Sequence, residues 1–303
     1  MLLEALNEPI TAHLRDIGDT GAIQEARPVG GGCINNALRL RTNENTYMLK
    51  WNAQPLPDMF LVEAKGLQLM QATETVRVPT VLAASNATAT HPAYILMEWL
   101  APTPGTAHRI DQQELGHQLA RMHQQGTSPQ QPPCYGLDHN NYIGSTPQYN
   151  GWNADWIAFY RERRLQPQME LAQRNGRLPR NRRQALEKVM DHLETFLGGI
   201  NRQPALLHGD LWGGNVMVGP GGAPALIDPA TYYGDREAEI AFTELFGGFD
   251  ASFYHAYNET WALESGYRDR RDLYNLYHLL NHLNLFGESY GHQVDAVLRR
   301  YAR

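Results

Sequence analysis

Along the first hundred residues the spacing of apolar side chains changes repeatedly, and each change predicts an element. Positions 2–17 recur at helical spacing and end at Gly18, which predicts an amphipathic helix. "VGGGCINNALRLRT" then reads as a strand, a glycine loop and a second strand. Asn43, Glu44 and Asn45 supply turn chemistry, and beyond them Tyr47, Leu49 and Trp51 alternate with Met48 and Lys50 in a third strand. In "DMFLVEAKGLQLMQA" the period returns to three and four through Phe60, Ala64, Leu67 and Met70, with Asp58 as the expected cap. "VRVPTVLA" and "AYILMEWL" are strand-like. The segment therefore predicts a small, mostly antiparallel sheet carrying one helix.

"APTPG" after Leu100 breaks any regular element, and the texture beyond it is predominantly helical. The expected division is an amino-terminal lobe over 1–98 and a larger, mainly helical lobe over 99–303, an α+β chain in two lobes. Asp111 is placed as a cap before Leu115, Leu119 and Met122 on one helical face; "WNADWIAFYRERRLQPQMELA" is a second helical region. "NVMVGPGGAPALID" is two short apolar strands around a Gly/Pro loop, a hairpin, with two helical segments after it. No internal repeat is present.

Composition narrows the function classes. Hydrophobic residues make up 42% and charged residues 19% of 303, ordinary globular usage, and the formal charge of -6 argues against general nucleic-acid binding. No apolar run is long enough to span a bilayer, so neither nucleic acid nor membrane is an expected partner. Cys33 and Cys134 are far apart, which excludes a disulfide framework or thiolate zinc site and suits a reducing cytoplasm.

The candidate chemistry lies in the order of the pieces. Gly30, Gly31, Gly32 and Cys33 form a loop whose backbone N–H groups can approach phosphate oxygens without Cβ obstruction, although such a stretch alone is only a turn. Lys50 points to the sheet face opposite Leu49, and Glu63 follows thirteen positions later on the helix. A strand lysine paired with a helix glutamate holds a cation against nucleotide phosphates; either residue alone would be a solvated charge. "LLHGDLWGGNVMV" then spaces Asp210 and Asn215 as in the catalytic loop H-R-D-L-x-x-x-N, with Gly209 in place of the Arg. Asp228 ends the second hairpin strand. In that arrangement Asp210 takes or orients a hydroxyl proton, while Asn215 and Asp228 hold Mg²⁺ with hard oxygen ligands.

With "VGGGCINNA", "YMLKWN", "MFLVEAKGLQLM", "YILMEWL", "PALIDPATYYGDREAEIAFTELFGGF" and "LYNLYHLLNHLNLFG", these residues resemble the fructosamine kinase, or ketosamine kinase, family over nearly the whole chain. The resemblance implies a two-lobed protein-kinase-like fold that uses ATP and Mg²⁺ to phosphorylate the sugar 3-hydroxyl of ketosamines, free or on protein lysine, and so a role in deglycation repair. Carried over, Asp210 becomes the catalytic base, Asn215 and Asp228 the metal ligands, and Lys50 with Glu63 the phosphate clamp. The adenine edge meets the hinge Glu98, Trp99 and Leu100 beneath Met97, in a cleft between the lobes. Trp212 and His208 fall on the substrate side, Trp212 as a wall for the sugar or as a plug of the lobe interior. Glu239 in "REAEIA" departs from the D-L-A of aminoglycoside kinases, which weakens the aminoglycoside reading; a kinase of the same fold acting on another small alcohol, aminoglycoside or choline-like, is the first alternative. A nucleotide-binding scaffold without catalysis is the alternative of another class, opposed by the intact Lys50, Asp210, Asn215 and Asp228.

Three features stand outside that scheme. Cys33 reads either as a small buried thiol or as a redox switch, one form of which is a disulfide joining a homodimer. His278 and His282 lie four apart on an expected helix; without the glutamate of H-E-x-x-H, a packed helix accounts for them better than a metal. The basic stretch 161–188 reads as a solvated face, or as an edge facing substrate or partner.

Overall fold

The computed structural model describes residues 2–30, 35–103, 105 and 109–302. They form two compact units, the first Met1–Asp111 with Val216–Pro229, the second Gln112–Asn215 with Ala230–Arg303. The expected division after residue 98 differs in two respects: the first unit runs on to Asp111, and the hairpin returns to it. The return has local causes. Leu226 donates its N–H to the Arg77 carbonyl at 2.8 Å, and Gly221 N–H reaches Thr103 Oγ1 at 2.9 Å.

In the first unit, α1 (Leu2–Asp16) precedes β1 (Glu25–Pro28), β2 (Asn36–Arg41) and β3 (Thr46–Asn52), then α2 (Met59–Gln71), β4 (Val81–Ser85) and β5 (Ala93–Glu98). The sheet order is β1-β2-β3-β5-β4, every neighbour antiparallel. Strand alternation sorts the two faces. Leu38, Leu40, Tyr47, Leu49, Tyr94 and Leu96 share a cluster with Leu6, Ile10 and Leu14 of α1. Each such buried aliphatic side chain contributes roughly 1.5–3 kcal/mol. Lys50 pairs with Ile95 and Met48 with Met97, so these four share the opposite face, where α2 brings Glu63. The sheet thus carries a helix on each face, one more than expected.

Asp58 sits at the start of α2 but does not cap it: its φ is +54° and its carboxylate instead accepts from Asn86 Nδ2 at 2.5 Å. The β2–β3 turn is tied down by Asp19. Its carboxylate accepts from Thr42 Oγ1 and Tyr47 OH, each at 2.7 Å, from the Gly21 N–H at 2.9 Å and from Asn45 Nδ2 at 3.4 Å.

The second unit is mainly helical. α3 (Gln112–Gln125) buries Leu115, Leu119 and Met122, and packs on the helix Ala251–Thr260 so closely that a Cβ at Gly116 would stand 2.3 Å from the Phe253 carbonyl oxygen. Among the described residues four α-helices follow the second hairpin strand rather than two: Arg236–Leu245, Ala251–Thr260, Tyr267–Phe286 and Gly291–Tyr301. The basic stretch is only partly a solvated face. Arg164 and Arg182 are buried, the latter between Glu288 and Asp295. His278 stacks on Phe242 with ring centroids 3.6 Å apart, and burial pushes its imidazole well below the ordinary range, while His282 Nδ1 bonds the His278 carbonyl. These are the contacts of a packed helix.

Candidate active site

In the first unit the alternation of β3 turns Lys50 away from the α1 core, and α2 presents Glu63 one helical turn beyond its buried Met59 and Phe60. The Lys50 ammonium lies 2.7 Å from Glu63 Oε1 and also contacts Asp228 Oδ1. Burial alone would lower the lysine's pKa, but the carboxylates of Asp228 and Glu63 outweigh it and raise it above the usual lysine range. Asp228 follows the strand Pro224–Leu226 in a left-handed conformation, φ +57°, uncommon for a residue with a Cβ. The three residues selected from the sequence as a clamp and a metal ligand are therefore in one place.

Of the other nucleotide-side candidates, Gly31, Gly32 and Cys33 lie outside the described residues. Gly30 is exposed, with open space where a Cβ would be. Met97 is buried on the Lys50 face of the sheet. Glu98 is pinned at both ends, its carboxylate by Arg77 and the Thr80 N–H, its own N–H by the Thr80 carbonyl at 2.9 Å. Trp99 lies under the Arg39 guanidinium at 5.5 Å, and Leu100 is buried.

In the second unit the strand Ala205–Leu207 pairs antiparallel with Tyr232–Gly234 and delivers the chain into the loop His208–Asn215. Gly209 has φ +82°, and a Cβ there would stand 2.1 Å from the Ala230 oxygen, so the turn requires glycine. Asp210 is left partly exposed. Its N–H donates to His208 Nδ1 at 3.2 Å, and Asn215 Nδ2 donates to its carbonyl at 2.7 Å and reaches its Oδ2 at 3.4 Å. Because the Asn215 amide nitrogen faces Asp210, its Oδ1 is the atom suited to a cation.

His208, expected on the substrate side, is enclosed in the second unit. It is 0% exposed, and its ring Nδ1 accepts the Asp210 N–H. Trp212 is 42% exposed, so it does not plug the interior; its indole folds over Gly214, where a Cβ would come within 2.2 Å. Gly213 in turn lies against Gly248, backbone on backbone.

The loop's anchor is Glu239, which the sequence marked only as a departure from another pattern. Its buried carboxylate accepts from the His208 N–H at 3.1 Å, the Gly209 N–H at 2.7 Å and His123 Nε2 at 2.8 Å. Burial raises a carboxyl, yet His123 and these donors hold Glu239 below the ordinary glutamate range. His123 Nδ1 continues to the Tyr257 hydroxyl at 2.8 Å. Sequence reasoning missed His123, although its position four residues after Leu119, on the apolar face of α3, was a usable signal.

Comparison with known proteins identifies the family. The sequence profile described as "Fructosamine kinase" matches residues 6–303. The "Probable ketoamine kinase" of Synechocystis sp. is 42% identical over 287 residues, covering 94% of this chain and 93% of that protein. A "Protein-ribulosamine 3-kinase, chloroplastic" of Arabidopsis thaliana is 38% identical, over 98% of this chain and 88% of that one. Among solved structures, the "putative fructosamine-3-kinase" of Thermobifida fusca superposes with a TM-score of 0.84 at 29% identity, covering 98% of both chains. The fold is protein-kinase-like, α+β, and the chain belongs to the fructosamine kinase family.

Proposed function

We propose that the chain is an ATP-dependent kinase that phosphorylates the 3-hydroxyl of a ketosamine, the ribulosamine or fructosamine adduct of an amine, and so serves deglycation. The observation that carries the reading is the buried ammonium of Lys50 between Glu63 and Asp228, in a family whose members are named as ketoamine and ribulosamine kinases. In this reading Lys50 neutralises nucleotide phosphate charge and Glu63 holds it in place. Asp210 accepts the proton of the attacking hydroxyl, aligned by Asn215 Nδ2 and by the His208 ring under its peptide. Trp212 offers its exposed indole to the sugar or its amine substituent.

By residue type, each of the two assigned ligands suits Mg²⁺. Asp228 supplies a partly exposed carboxylate and Asn215 an amide oxygen, the hard oxygens such an ion prefers. When bound, the ion would neutralise charge on the nucleotide phosphates. The proposed compartment is the cytoplasm, on the two widely separated cysteines; among the described residues no helix is long and apolar enough to cross a membrane.

Incubation with ATP, Mg²⁺ and a panel of ribulosamines, fructosamines, aminoglycosides and choline, followed by ³¹P NMR, tests the proposal. Ketosamine phosphorylation is expected, with Asp210→Asn slower by about 10²-fold or more. Turnover confined to aminoglycosides or choline, or undiminished in Asp210→Asn, refutes it.

A further inference from the structure

We infer that Arg164, acting through three buried amides, is a positioning residue for the Asp210 loop. Arg164 belongs to the π-helical turn Tyr160–Leu165 and is 0% exposed. Among the described residues no carboxylate pairs with it. Instead its guanidinium lies 3.9 Å from the centre of the Tyr232 ring and 4.6 Å from that of Phe159. An apolar side chain would fill this space without desolvating a charge. What only a guanidinium supplies is donors: to the Tyr149 carbonyl at 2.7 Å and to Asn150 Oδ1 at 2.8 Å.

Those donors set the polarity of a chain of amides. With its oxygen held by Arg164, Asn150 must turn its Nδ2 outward, to Asn141 Oδ1 at 2.8 Å. Asn141 then directs its Nδ2 to the Thr231 carbonyl at 2.8 Å. Gln148 places its Nε2 between Asn141 Oδ1 at 2.8 Å and the Ala230 carbonyl at 2.9 Å, while its oxygen accepts from the Tyr277 hydroxyl. Asn141, Gln148 and Asn150 are buried, so no water competes for these bonds. Ala230, held by its carbonyl, donates its N–H to the His208 carbonyl at 2.8 Å, and its oxygen occupies the space that a Cβ at Gly209 would need. The donor-only character of Arg164 thus reaches the residues immediately before Asp210.

The role in turnover rests on the proposed assignment of Asp210, so the test reads two quantities. Arg164→Met and Gln148→Met remove the donors while keeping apolar length, and either suffices should the other fail to fold. Both variants should lower kcat by about tenfold or more while each KM moves by about twofold at most, because a misplaced loop costs alignment rather than binding. Hydrogen exchange followed by mass spectrometry should show lost protection in peptides spanning 205–211, with the helix Gly291–Tyr301 protected as in the wild type. Unchanged protection over 205–211 in a folded variant overturns the inference, as does an equal loss across the whole second unit. A wild-type chain inert toward ketosamines would overturn the functional reading instead, and the exchange result would then decide the positioning role by itself.

Discussion

Replacing Glu239 by Gln is the most direct test of how the Asp210 loop is held. The carboxylate accepts three hydrogen bonds, two on Oε2, from His208 N–H and His123 Nε2, and one on Oε1, from Gly209 N–H. A glutamine can keep the two on one oxygen, but its amide nitrogen then faces the Gly209 N–H, donor against donor. Leaving that buried donor unsatisfied costs about 1–3 kcal/mol, and reducing the remaining bonds from charge-assisted to neutral costs about 1 kcal/mol each. The expected loss is therefore about 3–5 kcal/mol, a large part of the 5–15 kcal/mol typical of a folded protein.

Urea unfolding monitored by circular dichroism measures that loss, and kcat at saturating substrates measures its effect on the loop, expected at about 10²-fold. The pH dependence has a definite sign. Glu239 is held below its ordinary range, so its contribution is complete above the unfolded-state value and disappears as pH falls through the lower folded-state value. The gap between wild type and Glu239→Gln should accordingly narrow in acid. A variant within about 1 kcal/mol of wild type at neutral pH, with unchanged kcat, would refute the reasoning.

Two further substitutions probe the scaffold. Gly209→Ala forces a Cβ to 2.1 Å from the Ala230 oxygen at φ +82°, and should destabilise by about 1–3 kcal/mol or more in thermal unfolding and lower kcat; wild-type behaviour would show that the turn has another conformation available. Asp19→Asn takes one acceptor oxygen from a carboxylate serving four donors, and should cost about 1–3 kcal/mol by denaturant titration. Burial raises the Asp19 carboxyl, but the hydrogen bonds led by Thr42 and Tyr47 hold it below the usual aspartate range; the wild type should lose this advantage as pH falls through that lower value, and the variant should not.

What the sequence by itself determined were the features set by local periodicity and fixed spacing. Strand alternation put Lys50 opposite Leu49, helical spacing put Glu63 on the following helix, and a five-residue interval related Asp210 to Asn215; these were legible because each depends on a few neighbouring residues. The hairpin around "GPGG" was legible for the same reason. Only the tertiary structure decided where charges and polar groups far apart in the chain meet. Nothing local to Glu239 shows that it accepts from the His208 and Gly209 amides, nor that His123 lies beside it more than a hundred residues earlier. A basic run likewise conceals that Arg164 points inward to Asn150, because a charge is stable in the interior only when the fold supplies partners. His208 shows the distinction most sharply: the sequence places it two residues before Asp210, but only the packing makes it 0% exposed with Nδ1 accepting the Asp210 N–H, since exposure is a property of how the chain packs and not of the order of its residues.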